Sequence, residues 1–367
     1  MPKPTRNMYN PDVVSPPGAT LEELLDDRAM TQAELAERMG RPKKTINEII
    51  QGKAAITADT ALQLEYVLHV PASFWLQREQ QYRESLARHQ EEDQLAEHLP
   101  WLDSLPIKWM VQHDFIPAHA DPLEMLREVL RFFSIATPAQ RYFFTAVLRR
   151  STAFQSDEEA LRVWLRQGER LAQAIACAPF DAGGFRTVLT QARALTREPF
   201  ATAREHLGQQ CATAGVAVVI VPELPRTRVC GATRWLASDK ACIQLSLRYK
   251  TDDQFWFTFF HEAGHVLLHG KRASFLDEEF VNGDPREVEA NRFAADLLVP
   301  PADLQRFHER RGRSYLSAEL IEAFAAELGV APGIIVGRLQ HDNSLPKTHL
   351  NGLKQKLTPV ALCADKT

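Results

Sequence analysis

The sequence predicts an α+β chain that is mostly α. An amino-terminal helix-turn-helix bundle comes first, then a helical middle region, then a carboxy-terminal domain in which a small sheet supports a helix bearing HExxH. Three observations predict this. Residues 31–50 carry helical apolar periodicity interrupted by one glycine, 216–245 hold short β-branched runs, and His261-Glu262-Ala263-Gly264-His265 lies inside an apolar stretch. With 367 residues and 45% hydrophobic content the chain can build two or three cores. Its 43 basic and 47 acidic residues nearly cancel, so any affinity for nucleic acid must come from a local patch, expected at 41–53.

The first elements are legible from their caps. Thr31-Gln32-Ala33-Glu34 has the form of a capping box, Gly40 ends that helix, and a second begins around Arg41-Pro42-Lys43-Lys44. Leu35, Ala36, Met39, Ile46, Ile49 and Ile50 form the inward stripe of the two helices. That leaves Lys43, Lys44, Thr45, Asn47 and Glu48 at the start and outer face of the second helix, where base edges are read, with Arg41 on its basic edge. Gln32, at the tip of the first helix, is placed for a phosphate, and Glu48 can accept from cytosine. An apolar segment at 58–68 adds a third helix and 71–76 closes the module. Over 16–80, the run TQAELAERMGRPKKTINEIIQGKAAITADTALQLEYVLHVPASFWL resembles the XRE-type helix-turn-helix of HigA-like antitoxin repressors. The resemblance implies binding to a double-stranded DNA operator as a homodimer; residues 1–15, ahead of it, are expected to form a flexible arm.

Residues 81–204 read as a helical linker or coupling region. A charged stretch at 83–97 predicts an extended helix, Trp109, Phe115, Leu126, Leu130, Phe132 and Phe133 begin a packed portion, and Pro117, Pro122, Pro138, Pro179, Gly183 and Gly184 punctuate separate helices. No chemical motif stands out there. The five cysteines, Cys177, Cys211, Cys230, Cys242 and Cys363, show no CxxC spacing, which argues against a disulfide framework or a structural zinc.

The chemistry is concentrated beyond 205. Short strands are expected at 216–221 and 241–245, with 231–235 between them, and one sheet edge could take an extended substrate. A helix over 253–269 follows, with N-cap candidates at Thr251-Asp252-Asp253 and Gly270 as its stop. At i and i+4, His261 and His265 leave one face of that helix and can grip one zinc ion, with Glu262 beside them to handle protons. A catalytic zinc needs a third protein ligand. On the next helix Glu287 shares the inward face of Ala290 and Ala294, whereas Glu289 is turned away and expected to be solvated; Glu287 is therefore assigned as that ligand. Asn291, one turn on, can hydrogen-bond a ligand histidine. His269 competes as a ligand but is placed behind the ligands or facing substrate, because one straight helix does not close three turns around a tetrahedral ion. Tyr249, Arg248 and His269 are the candidates to donate to a developing oxyanion.

The pair HEAGHVLLHG and ExEANRFAADLLVP, within 205–342, resembles the ImmA/IrrE metallopeptidases. This implies a zincin-like fold of gluzincin type, with His261, His265 and Glu287 as zinc ligands and Glu262 as general base. A polar tail follows over 343–367. The expected function is a DNA-binding regulator whose zinc endopeptidase domain cleaves a specific regulatory protein, a partner or itself, in response to a signal. The alternative is a HigA-like antitoxin that binds a toxin and its operator, with the zinc fold as scaffold or sensor. No signal-peptide pattern or bilayer-length apolar run is found, so a cytoplasmic protein without membrane contact is expected.

Overall fold

In the computed structural model, residues 14–140, 157–270, 275–278, 284–312 and 315–357 are described. Most of the expected arm, the end of the polar tail and Cys363 lie outside them. The chain divides into two compact units, Met1–Leu99 and Pro100–Thr367.

The first unit holds α1 (Pro17–Asp27), α2 (Gln32–Arg38), α3 (Lys43–Ile50), α4 (Ala58–Leu68) and α5 (Ala72–Ala96). Leu21, Leu35, Ile46, Ile49, Leu64, Leu68 and Trp75 fill its core. Thr31 caps α2 by accepting from the Glu34 amide at 3.2 Å, but the Glu34 carboxylate pairs with Arg38 at 2.5 Å, so the expected capping box is realised on one side only. Gly40, at φ +63°, makes the turn into α3. Helix α1 opens on Pro17 at its first turn and buries Leu21 and Leu25 at i and i+4, and a tertiary contact at Gly18 holds it. A Cβ on Gly18 would stand 2.3 Å from the Ile49 carbonyl oxygen, so the α1 and α3 backbones touch.

The second unit begins with α6 (Trp101–Ser104), α7 (Ile107–Gln112) and α8 (Pro122–Phe133), followed by α9 (Glu158–Ala174), α10 (Ala182–Leu195) and α11 (Phe200–Thr213). Of the segment expected to couple the modules, 81–96 completes α5, while α10 and α11 supply core to this unit through Phe185, Leu189, Leu207 and Cys211. Its sheet contains β1 (Val216–Ile220), β2 (Val229–Ala237), β3 (Lys240–Leu245) and β4 (Phe275–Glu278) in the order β1-β3-β2-β4. Strand β1 runs parallel to β3 and the other pairs are antiparallel.

Strand alternation explains how both sheet faces are covered. Val216, Ile243 and Leu245 face the main core, whereas Ala217, Val219, Cys242 and Gln244 face α9. There Trp164 Nε1 donates to the Val221 carbonyl at 3.2 Å and Gln244 Nε2 donates to the Trp164 carbonyl at 2.7 Å. On the main-core face lies α12 (Asp252–Leu268), which buries Phe255, Trp256, Phe259, Phe260, Ala263 and Val266. Helix α13 (Pro285–Leu298) packs along it through Ala290 and Ala294. Then come α14 (Pro301–Arg311), α15 (Ala318–Leu328), α16 (Pro332–His341) and a short 3-10 turn, Asn351–Leu353. Among the described residues no single helix is long and apolar enough to cross a membrane.

Candidate metal centre

Helix α12 carries buried polar groups that an apolar helix does not need for packing. His261, Glu262 and His265 are all at most 1% exposed, and such groups are costly unless they have partners. Gly264 permits the close approach of α13, since a Cβ there would meet the Ala290 Cα at 3.3 Å. That approach brings Glu287, at the start of α13, over both imidazoles. Its Oε2 lies 3.2 Å from His261 Nε2 and its Oε1 lies 3.4 Å from His265 Nε2, and the two Nε2 atoms are 2.9 Å apart.

These three groups form a donor set of metal-binding type. Ligand atoms around a tetrahedral ion with bonds of about 2.0–2.1 Å stand about 3.3–3.4 Å apart, so a zinc-sized ion fits after small side-chain shifts. The other ring nitrogens point the same way. His261 Nδ1 lies 3.0 Å from Asn291 Oδ1 and His265 Nδ1 lies 2.9 Å from His269 Nδ1, which leaves both Nε2 atoms for the shared space. Without an ion between them, burial pushes the Glu287 carboxyl up, but Nε2–H donation from His261 and His265 outweighs it and holds the group down at about 2; an ion would take the place of those Nε2 protons. Burial also lowers the basicity of His265, against the pull of Glu287, which favours the neutral imidazole a metal requires.

Glu262 leaves α12 towards the sheet. Its Oε2 accepts from Thr233 Oγ1 of β2 at 2.5 Å, and a Cβ on Gly231 would stand 2.5 Å from its Oε1. Sequence reasoning misses both Thr233 and Gly231. Their two-residue spacing, which places both on the strand face towards α12, is the signal that could have found them.

Of the expected oxyanion donors, His269 is in line behind His265. Arg248 is engaged elsewhere: it donates to the Arg228 carbonyl, lies 3.8 Å from Glu223 Oε1 and packs over the half-exposed ring of Tyr249. Arg248 and Tyr249 line a small cavity with Cys230 and Thr258. In the first unit, Lys43, Lys44 and Asn47 are exposed on α3 and Thr45 is half-buried. Lys44 lies 3.7 Å from Glu48, Gln32 begins α2, and Arg41 turns back to donate to Gln63 Oε1 at 2.5 Å.

Residues 228–340, spanning all three converging side chains and Glu262, match the Peptidase_M78 family, described as the IrrE N-terminal-like domain, and residues 21–75 match a helix-turn-helix family. The chain joins a helix-turn-helix module to an IrrE-like domain. Among solved structures it is similar to an addiction module antidote protein of the HigA family from Coxiella burnetii, at 29% identity. That match covers 23% of this chain and 92% of the other, with a TM-score of 0.21. It is also similar to the Pseudomonas aeruginosa antitoxin HigA solved with the higBA promoter, at 26% identity over 23% of this chain and 91% of the other, with a TM-score of 0.22. No curated protein matches. The IrrE-like domain therefore carries the HExxH helix, the β2 strand beside it and the α13 glutamates as one continuous matched segment.

Proposed function

We propose that this chain is a DNA-binding regulator whose IrrE-like domain is a zinc-dependent endopeptidase acting on a specific regulatory protein, a partner or the chain itself, in response to a signal. The observation that carries this is the convergence of His261 Nε2, His265 Nε2 and Glu287 within 3.4 Å of one another, with a buried glutamate next in sequence. His261, His265 and Glu287 hold the metal. When bound, zinc supplies Lewis acidity towards a peptide carbonyl and acidifies water. Glu262 takes the proton of the attacking water on its carboxylate and passes it to the departing amine, so no covalent acyl intermediate is needed. Thr233 fixes the carboxylate for both transfers. Sequence is read by the start and outer face of α3, through Lys43, Lys44, Thr45, Asn47 and Glu48, on a double-stranded operator, with a homodimer matching the two half-sites.

The test compares zinc-loaded wild type with Glu262→Gln. Each is incubated with the products of neighbouring genes and with DNA, and products are read by intact mass spectrometry. A zinc-dependent fragment formed by wild type alone is expected, while zinc content and DNA binding stay equal. The same fragment from Glu262→Gln would sink the mechanism. A second reading is favoured by the HigA-like sequence over 16–80: an antitoxin and autorepressor that binds a toxin, with the zinc fold as scaffold. It predicts a stable complex with a neighbour's product and no fragment.

A further inference from the structure

Behind His265 a second imidazole and a carboxylate continue in line. His265 Nδ1 lies 2.9 Å from His269 Nδ1, and His269 Nε2 lies 3.1 Å from Glu289 Oε2. The His269 side chain is 4% exposed, while that of Glu289 is 60% exposed. Glu289 is thus solvated, as the helix pattern predicts, yet it also anchors a buried ring.

Proton placement along this row is forced. A contact between two Nδ1 atoms needs one N–H and one lone pair. His265 must keep a lone pair on Nε2 to hold a cation with His261 and Glu287, so its proton is on Nδ1 and is donated to His269. The His269 ring then carries its proton on Nε2 and donates it to the Glu289 carboxylate. With neutral rings, no other tautomer pair satisfies both contacts and leaves His265 Nε2 open.

We infer that His269 and Glu289 are positioning residues for the metal, forming a carboxylate-imidazole relay that fixes the tautomer of His265 and strengthens it as a ligand. The inference rests on the zinc reading above. The two ligand histidines are thus backed differently: His261 by the neutral amide of Asn291, His265 by an imidazole that leans on a carboxylate. Helix α13 supplies both ends of the arrangement, with Glu287 on the metal side and Glu289 on the far side. The ExE spacing therefore has a role for each acid. Backing a ligand imidazole with an anionic acceptor raises its electron donation and removes the ring flip that would present a protonated nitrogen to the metal.

The experiment uses the full chain and reads zinc affinity by chelator competition, with the cobalt(II) absorption spectrum as a signature of the ligand field. Replacing His269 by Phe should weaken zinc by about 10- to 100-fold at unchanged stoichiometry and shift the cobalt bands. His269→Gln, whose amide can accept from His265 and donate to Glu289, should recover most of the loss. Glu289→Ala, an exposed change that does not threaten folding, should weaken zinc several-fold in the wild-type background and have no effect in the His269→Phe background. Wild-type affinity in Glu289→Ala, or an equal loss in both backgrounds, would overturn the relay. Absence of stoichiometric zinc in the wild type would instead remove the ligand assignment on which the relay rests, so the two failures are distinct.

Discussion

Thr233 Oγ1 stands 2.5 Å from Glu262 Oε2 and 3.1 Å from the carbonyl oxygen of the same residue, so its single hydroxyl proton goes chiefly to the carboxylate of the HExxH glutamate and is shared with its backbone. Thr233→Val keeps the shape and removes the donor from a buried carboxylate. Unfolding in denaturant should show a loss of about 1–3 kcal/mol, and cleavage of the substrate should slow, whereas Thr233→Ser should restore both. Wild-type values for Thr233→Val in both measurements would remove its positioning role.

Gly231 lets the strand approach Glu262 directly. An added Cβ would lie 2.5 Å from Glu262 Oε1 and 2.8 Å from Thr258 Cγ2, whereas at Gly264 the first atom met is Phe293 Cδ1 at 3.1 Å. Gly231→Ala should therefore lower stability by about 1–3 kcal/mol and disturb Glu262. Gly264→Ala should cost less. Thermal unfolding of the two variants side by side checks the order.

Burial raises the Asp252 carboxyl from its ordinary 3.8 to about 6, against the backbone N–H groups of Asp253 and Gln355 that it accepts at 2.9 Å. Between those values the folded chain keeps a proton that the unfolded chain has released. This group's contribution is therefore full below about pH 4 and is lost as pH rises through about 6. Asp252→Asn preserves the accepting oxygen and removes the titration. Relative to wild type it should be more stable at pH 7 than at pH 4, by at most about 3 kcal/mol. A difference that stays constant from pH 4 to 7 would contradict the buried-carboxyl account.

Lys43 and Lys44 project from the first turn of α3, and Lys44 is only loosely paired with Glu48 at 3.7 Å. Replacing both by Ala should weaken operator binding and reduce the slope of log affinity against log salt by about one for each phosphate that is no longer neutralised. Binding measured at several salt concentrations with an unchanged slope would place the phosphate-binding residues elsewhere on the module.

Local periodicity and punctuation determined most of the element framework. Spacing alone puts His261 and His265 on one face of α12, Gly270 stops that helix, and Ala290 and Ala294 mark the side of α13 that packs against it, because these relations lie within single helices. Only the tertiary structure decided what surrounds them. Thr233 reaches Glu262 across 29 residues of chain, Glu289 reaches His269 across 20, and α1 is held by the contact of Gly18 with α3. Spacing can place Thr233 on a strand face or Leu21 and Leu25 on a helix face, but it does not name the residue that each face meets. Each of these contacts depends on how closely two backbones approach, and that distance is set by the packing of the whole core rather than by the residues on either side.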